Sequence, residues 1–155
     1  MKTIILIYVL LLSAFIANSQ TFADLVATSD SSVVQIEVIE KKNLGVGNPG
    51  NFTSSAGLGS GVLVGENSNY ILTAAHVVAN AIKIQVIFAD GTKLSATNKR
   101  VDKTAGLAII QLERPVTHLP KAKLGDSDKT RVGDEIFIIG SPLGLSHSVS
   151  KGIIS

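Results

Sequence analysis

Cysteine is absent from all 155 residues. That excludes disulfides, a thiolate nucleophile, thiolate zinc sites and Cys-ligated iron–sulfur clusters. An excess of one charge is also missing: 14 Lys and Arg face 12 Asp and Glu, a formal net of +2. No basic stripe runs along the chain, so no nucleic-acid partner is expected. The apolar run from Ile4 to Ala17 falls short of the ~20 residues a membrane-spanning helix needs. The three histidines, His76, His118 and His147, are far apart and none makes an i,i+4 pair. The helical two-histidine metal signature is therefore absent, and no metal or cofactor is expected.

The amino terminus has a short basic start, Met1-Lys2, then the apolar run, then Ala17-Asn18-Ser19 before Gln20. This is the order of a cleavable export signal over residues 1–19. An exported chain without cysteine fits a bacterial periplasm or exterior. Residues 20–30 read as an amino-terminal segment.

Beyond Asp30 the chain reads as β. Ser32 to Glu40 is a β-branched run, a strand. Asn43 to Ser60, rich in Gly, Asn and Ser, reads as a long loop. Asn51-Phe52-Thr53 within it matches a glycosylation sequon, read as accidental in a bacterial context. Gly61–Val64 and Tyr70–Thr73 flank a polar turn, a hairpin. Ala74 to Asn80 has room for one or two helical turns. From Ile82 to Phe88 the chain alternates, with Ile82, Ile84, Val86 and Phe88 expected on one face. Asp90-Gly91 signals a hairpin turn, and the strand resumes at Lys93. Leu107–Leu112, Val132–Ile139 and Val149–Ile154 complete about eight short strands. Pro115 and Pro120 punctuate a connector, and Gly140–Gly144 reads as a turn. With almost no helix between strands, a barrel or sandwich is expected and a doubly wound α/β fold is not.

His76 stands just past an apolar strand, in Thr73-Ala74-Ala75-His76-Val77-Val78. Small residues before it allow close backbone packing. An imidazole held there by a short turn can act as a general base, or simply rest half-buried on a backbone partner. His118 reads as a surface histidine, and His147 as part of a solvated serine-rich loop. Asp126, Asp128, Asp134 and Glu135 lack the spacing of a calcium loop and read as an acidic turn.

The order of short motifs carries more than the periodicity does. Gly59-Ser60-Gly61-Val62-Leu63-Val64, then Tyr70-Ile71-Leu72-Thr73-Ala74-Ala75-His76-Val77-Val78, resembles the trypsin-like serine peptidases, in particular their HtrA/Deg branch. Leu107-Ala108-Ile109-Ile110, Leu124-Gly125-Asp126-Ser127-Asp128-Lys129, Arg131-Val132-Gly133-Asp134, Ile139-Gly140-Ser141-Pro142-Leu143-Gly144 and Lys151-Gly152-Ile153-Ile154-Ser155 continue the resemblance in order. It runs from about Ser31 to the last residue.

The resemblance implies an all-β, chymotrypsin-like double β-barrel. Residues 31–120 would form a complete first barrel. Residues 121–155 would form the connector and the start of a second barrel, truncated after its first strands. It gives His76 the role of triad base. The triad aspartate should immediately precede Leu107-Ala108, where this chain has Gly106. Asp102 is the only nearby carboxylate, roughly 13 Å back along an extended chain. The Gly-Asn-Ser-Gly-Gly-like nucleophile loop is not present in these residues, and Ser155 belongs to an earlier strand. The implied function is an exported serine endopeptidase acting on unfolded protein or peptide, of which this chain is an inactive portion. A non-catalytic peptide-binding remnant is the alternative. Asn43–Ser60 falls where that branch carries a regulatory loop. Phe22 resembles the aromatic residues through which that branch forms homotrimers, with a simple tether as the alternative.

Overall fold

The computed structural model describes residues 21–43, 52–141 and 148–155. The expected export signal, Asn51 of the sequon, the middle of the Asn43–Ser60 segment, the turn expected beyond Ser141 and His147 lie outside the described residues.

A nine-residue helix, α1 (Phe22–Asp30), comes first. It is an addition to the expected elements, although its start is written in the sequence as Thr21-Phe22-Ala23-Asp24. The Asp24 amide donates to Thr21 Oγ1 at 3.2 Å, and the Thr21 amide donates to Asp24 Oδ2 at 3.0 Å. This reciprocal capping box satisfies two of the unpaired donors at a helix start. Both bonds from Thr21, hydroxyl first and then amide, hold the Asp24 carboxyl below its usual range.

Six strands then close a barrel: β1 (Val33–Asn43), β2 (Phe52–Val64), β3 (Tyr70–Ala74), β4 (Ala81–Ile87), β5 (Lys93–Asp102) and β6 (Leu107–Leu112). They are hydrogen-bonded in the order β1-β2-β3-β6-β5-β4, and β4 returns to β1. One turn of helix, α2 (Ala75–Val78), follows β3. The pairings are antiparallel throughout, and closure leaves the barrel without an open edge. Alternate residues point inward, so Val34, Ile36 and Val38 of β1 meet Ile71, Ile84, Val86, Leu94, Ile110 and Leu112 in one core. The fold is the all-β, chymotrypsin-like one expected. The strands expected to open the second barrel, β7 (Glu135–Gly140) and β8 (Ser148–Ile153), pair as a separate two-stranded sheet. Phe22 of α1 packs edge-on against Phe137 of β7, ring centroids 5.5 Å apart.

Two sequence expectations are corrected. Residues 52–60 are not loop but the first half of β2, paired with β1 from Asn43↔Phe52 to Gln35↔Ser60. Gly57 and Gly59, which suggested a loop, recur at period two with Gly61, opposite Val38, Ile36 and Val34. A Cβ on Gly59 would lie 2.4 Å from Val77 Cγ1, and one on Gly61 would lie 2.5 Å from Ile71 Cγ2. These positions stay bare so that large neighbours fit the narrow interior. The second correction concerns Ile82. Ile84, Val86 and Phe88 are buried, but Ile82 is 65% exposed. The β1–β4 register steps from Ile39↔Lys83 to Glu40↔Ala81, which leaves Ile82 unpaired. A bulge there breaks the alternation and turns the side chain outward.

The connector after β6 is tied back to the barrel. His118 Nε2 lies 2.8 Å from Asp90 Oδ2 in the β4–β5 turn. Asp90 also accepts from the Thr92 amide and hydroxyl, both at 2.9 Å. His118 first, then these Thr92 bonds, lower the Asp90 carboxyl to about 2. A carboxylate depressed on folding adds stability above its unfolded value near 3.8, and that stability is lost as pH falls through about 2. His118→Ala should move the Asp90 titration upward toward 3.8, as read by carboxyl-carbon NMR. An unmoved titration would assign the depression to Thr92 alone.

Candidate active site

His76 is exposed on α2, at the end of β3. The strand reaches this point because Ile71 and Thr73 face inward, Thr73 donating its hydroxyl to the Ser60 carbonyl at 2.7 Å. Ala74 is the last extended residue before the turn, and no side chain caps the helix. Its first amide is satisfied from another strand: Ala75 N–H donates to the Gly106 carbonyl at 2.8 Å. The pairing Ala74↔Leu107 continues the same register. Gly106 is therefore the cross-strand neighbour of Ala75, next in sequence to His76.

Gly106 closes the β5–β6 hairpin with φ +71°. That left-handed conformation suits glycine, with Asp and Asn among the few residues that tolerate it. Nothing lies within 4 Å of where its Cβ would stand. Asp102 begins the same turn, and its Oδ1 accepts from the Thr104 and Ala105 amides, both at 2.9 Å. Its carboxylate stabilises its own turn, and among the described residues it makes no hydrogen bond to His76.

Three features of the site have no counterpart among the sequence expectations. Val77, beside His76, packs onto the bare Gly59. Ser60 Oγ accepts from the buried Ser141 amide at 2.8 Å, bridging the barrel to the end of β7. Lys99 of β5 donates from Nζ to the carbonyls of Val78, Ala79 and Ala81 at 2.6, 3.1 and 2.7 Å. The period-two glycines are a readable signal for the first. A lysine in a strand gives none, since its usual place is a solvated face.

The acidic residues of the second segment do not converge. Asp126 pairs with Lys129, Asp134 with Arg131 and Glu135 with Lys151. Among the described residues no three potential ligands gather to hold a metal. A cleft of about 450 Å³ opens on the outer barrel face, lined by Tyr70, Arg100, Ile109 and Leu124 among others, and His76 is not part of it.

Residues 59–155 match the family described as trypsin-like peptidase domain. The chain is 43% identical over 99 residues to a probable periplasmic serine protease do/HhoA-like of Haemophilus influenzae, covering 64% of this chain and 21% of that protein. It is 41% identical over 109 residues to the periplasmic serine endoprotease DegP of Salmonella typhimurium, covering 70% and 23%. Among solved structures it is similar to the HtrA-type protease AlgW with a decapeptide, with a TM-score of 0.69 and 27% identity, covering 87% of this chain and 45% of that one. The chain thus spans about a fifth of the length of these curated relatives.

Proposed function

The chain belongs to the trypsin-like peptidase family, and from that premise we propose that it supplies the first barrel and the general base of an exported serine endopeptidase acting on unfolded protein or peptide. The proposed layout is a signal over 1–19, an amino-terminal segment over 20–30, the first barrel over 31–120, and the connector with the start of a second barrel over 121–155. Relatives named as periplasmic proteases support a periplasmic or secreted location.

The observation that carries the reading is the Ala75–Gly106 hydrogen bond at 2.8 Å. It joins the residue before His76 to Gly106, the position that the resemblance gives to this family's aspartate, and so supports the reading. In the reaction a serine hydroxyl would add to the peptide carbonyl while His76 takes its proton. The imidazolium would return that proton to the departing amine, and water would then release the acyl group. The nucleophile of this reaction is not among the 155 residues, and the aspartate position holds Gly106. We therefore propose that these residues alone do not hydrolyse peptide bonds. A homotrimer through the Phe22 segment belongs to the same reading, supported by the 43% exposure of Phe22 despite its contact with Phe137. Gly106 and the missing nucleophile loop favour the second reading, a pseudo-protease that holds peptide without cutting it.

The purified chain should leave casein uncut relative to a mock preparation. Cleavage blocked by a serine-directed inhibitor would overturn the assignment of the nucleophile outside these residues. The coding sequence downstream of the Ser155 codon should continue in frame to a Gly-Asn-Ser-Gly-Gly-like loop. Without such coding capacity the protease reading fails and the peptide-holding one stands.

A further inference from the structure

We propose that Lys99 is a positioning residue for His76, and that the β5–β6 hairpin clamps the turn carrying this imidazole from both ends. α2 is a single turn, too short to persist through its own hydrogen bonds. Its first amide is held by the Gly106 carbonyl at 2.8 Å. The carbonyls that close the turn, Val78 at 2.6 Å and Ala79 at 3.1 Å, face the Lys99 ammonium, which also reaches the Ala81 carbonyl at the start of β4 at 2.7 Å. An ammonium has three N–H donors, and three carbonyls take them here. The bonds are charge-assisted, and the positive charge sits at the negative end of the turn.

The strand is built to aim this lysine. Leu94 and Ala96 face the core, and ordinary alternation would carry residue 98 inward and send residue 99 to solvent. The β5–β6 register instead shifts between Ala96 and Asn98, so that Thr97 is the extra residue. After that bulge Val101 packs against the core and Lys99 shares its side of the strand. Lys93, before the bulge on the same strand, is exposed. The bulge thus turns a strand lysine from solvent toward the residues that end the His76 turn.

This assignment rests on the reading of His76 as the functional imidazole, and the measurement fails separately from it. In the full chain, Lys99→Met should speed hydrogen exchange of the Ala79 amide, which donates to the Ala75 carbonyl at 2.9 Å, by about tenfold or more. The His76 Cε1–H NMR resonance should be displaced from its wild-type position under the same conditions. Exchange at Val86 and Ile110 should hold its wild-type rate, and Lys103→Met should change none of these signals. Unchanged Ala79 exchange and an unmoved His76 resonance would overturn the proposal. So would an equal acceleration at Ile110, which would make Lys99 a general anchor of the barrel. Should Lys99→Met not fold, Lys99→Gln keeps two donors without the charge and is read by the same criteria. Failure of the base reading would appear elsewhere, as undiminished hydrolysis after His76→Ala in a longer form that carries the nucleophile, and would not change the Lys99→Met result.

Discussion

Gly106→Asp, introduced into a longer form that carries the nucleophile loop, is expected to raise kcat by about 10⁴. Loss of the aspartate in a chymotrypsin-fold protease lowers turnover by that factor, because the imidazole then takes the wrong tautomer. The geometry favours the reverse change here. Gly106 and Ala75 are joined by a hydrogen bond, so the new carboxylate would stand beside the His76 turn. No atom within 4 Å blocks its Cβ. The conformational penalty at φ +71° is about 1 kcal/mol for an L-residue, and aspartate is among the residues that best tolerate it. Asp102 does not compete, since its Oδ1 already accepts two amides of its own turn. The variant should therefore melt only a few degrees lower while kcat on a peptide substrate rises. An unchanged kcat in a folded variant would mean that another group already orients His76.

Ile71→Ala should destabilise the barrel by about 2–5 kcal/mol, the range for emptying a buried isoleucine site. Ile71 is fully buried and lies directly over the bare Gly61. Gly61→Ala should cost about 1–3 kcal/mol by overpacking. Its new methyl would meet Ile71 Cγ2 at 2.5 Å, Ile36 Cδ1 at 2.9 Å and the Leu72 carbonyl oxygen at 3.1 Å. Shortening Ile71 removes the nearest of these atoms, so the two changes should couple. The double variant should be more stable than the sum of the single effects predicts, by about 0.5–3 kcal/mol. Denaturant melts of the four proteins read this cycle. Strict additivity would mean that the backbone, rather than the Ile71 side chain, sets the cost at Gly61.

The barrel is legible in the sequence wherever burial and alternation coincide. Leu107–Leu112 and Tyr70–Thr73 can be placed because both are short apolar runs bounded by turn residues, and their inward positions are Ala108, Ile110 and Leu112, and Ile71 and Thr73. The same rule fails where packing demands the smallest residue. Gly57, Gly59 and Gly61 are inward positions of β2 before Leu63, but the first two look like loop composition unless their neighbours are known. Ile82 fails for the opposite reason, since a bulge is a property of two strands and leaves no mark in one. The capping box of α1 is present in Thr21 and Asp24, but two short polar side chains between an apolar leader and the first strand make a faint signal.

At the candidate site, the order of motifs points to His76 and Gly106, and the structure joins Gly106 to the residue before His76. What links them is not legible in the sequence. The Ala75–Gly106 bond joins two backbones, and the Lys99 contacts end on three carbonyls. Backbone acceptors are the same for every residue type, so sequence carries no trace of them. The Ser60–Ser141 bridge is hidden in the same way, since one partner is a main-chain amide 81 residues away.

The left-handed closure at Gly106 has a consequence at the level of genes. Two of the glycine codons, GGU and GGC, differ from the aspartate codons GAU and GAC by one base. The hairpin accepts either residue through its backbone, with its register set by the strands on both sides. Folding selection therefore offers little resistance to a mutation in either direction here. On the reading proposed for Gly106, a single substitution would remove or restore the carboxylate while keeping a barrel that folds, so forms with and without it would be adjacent in sequence space.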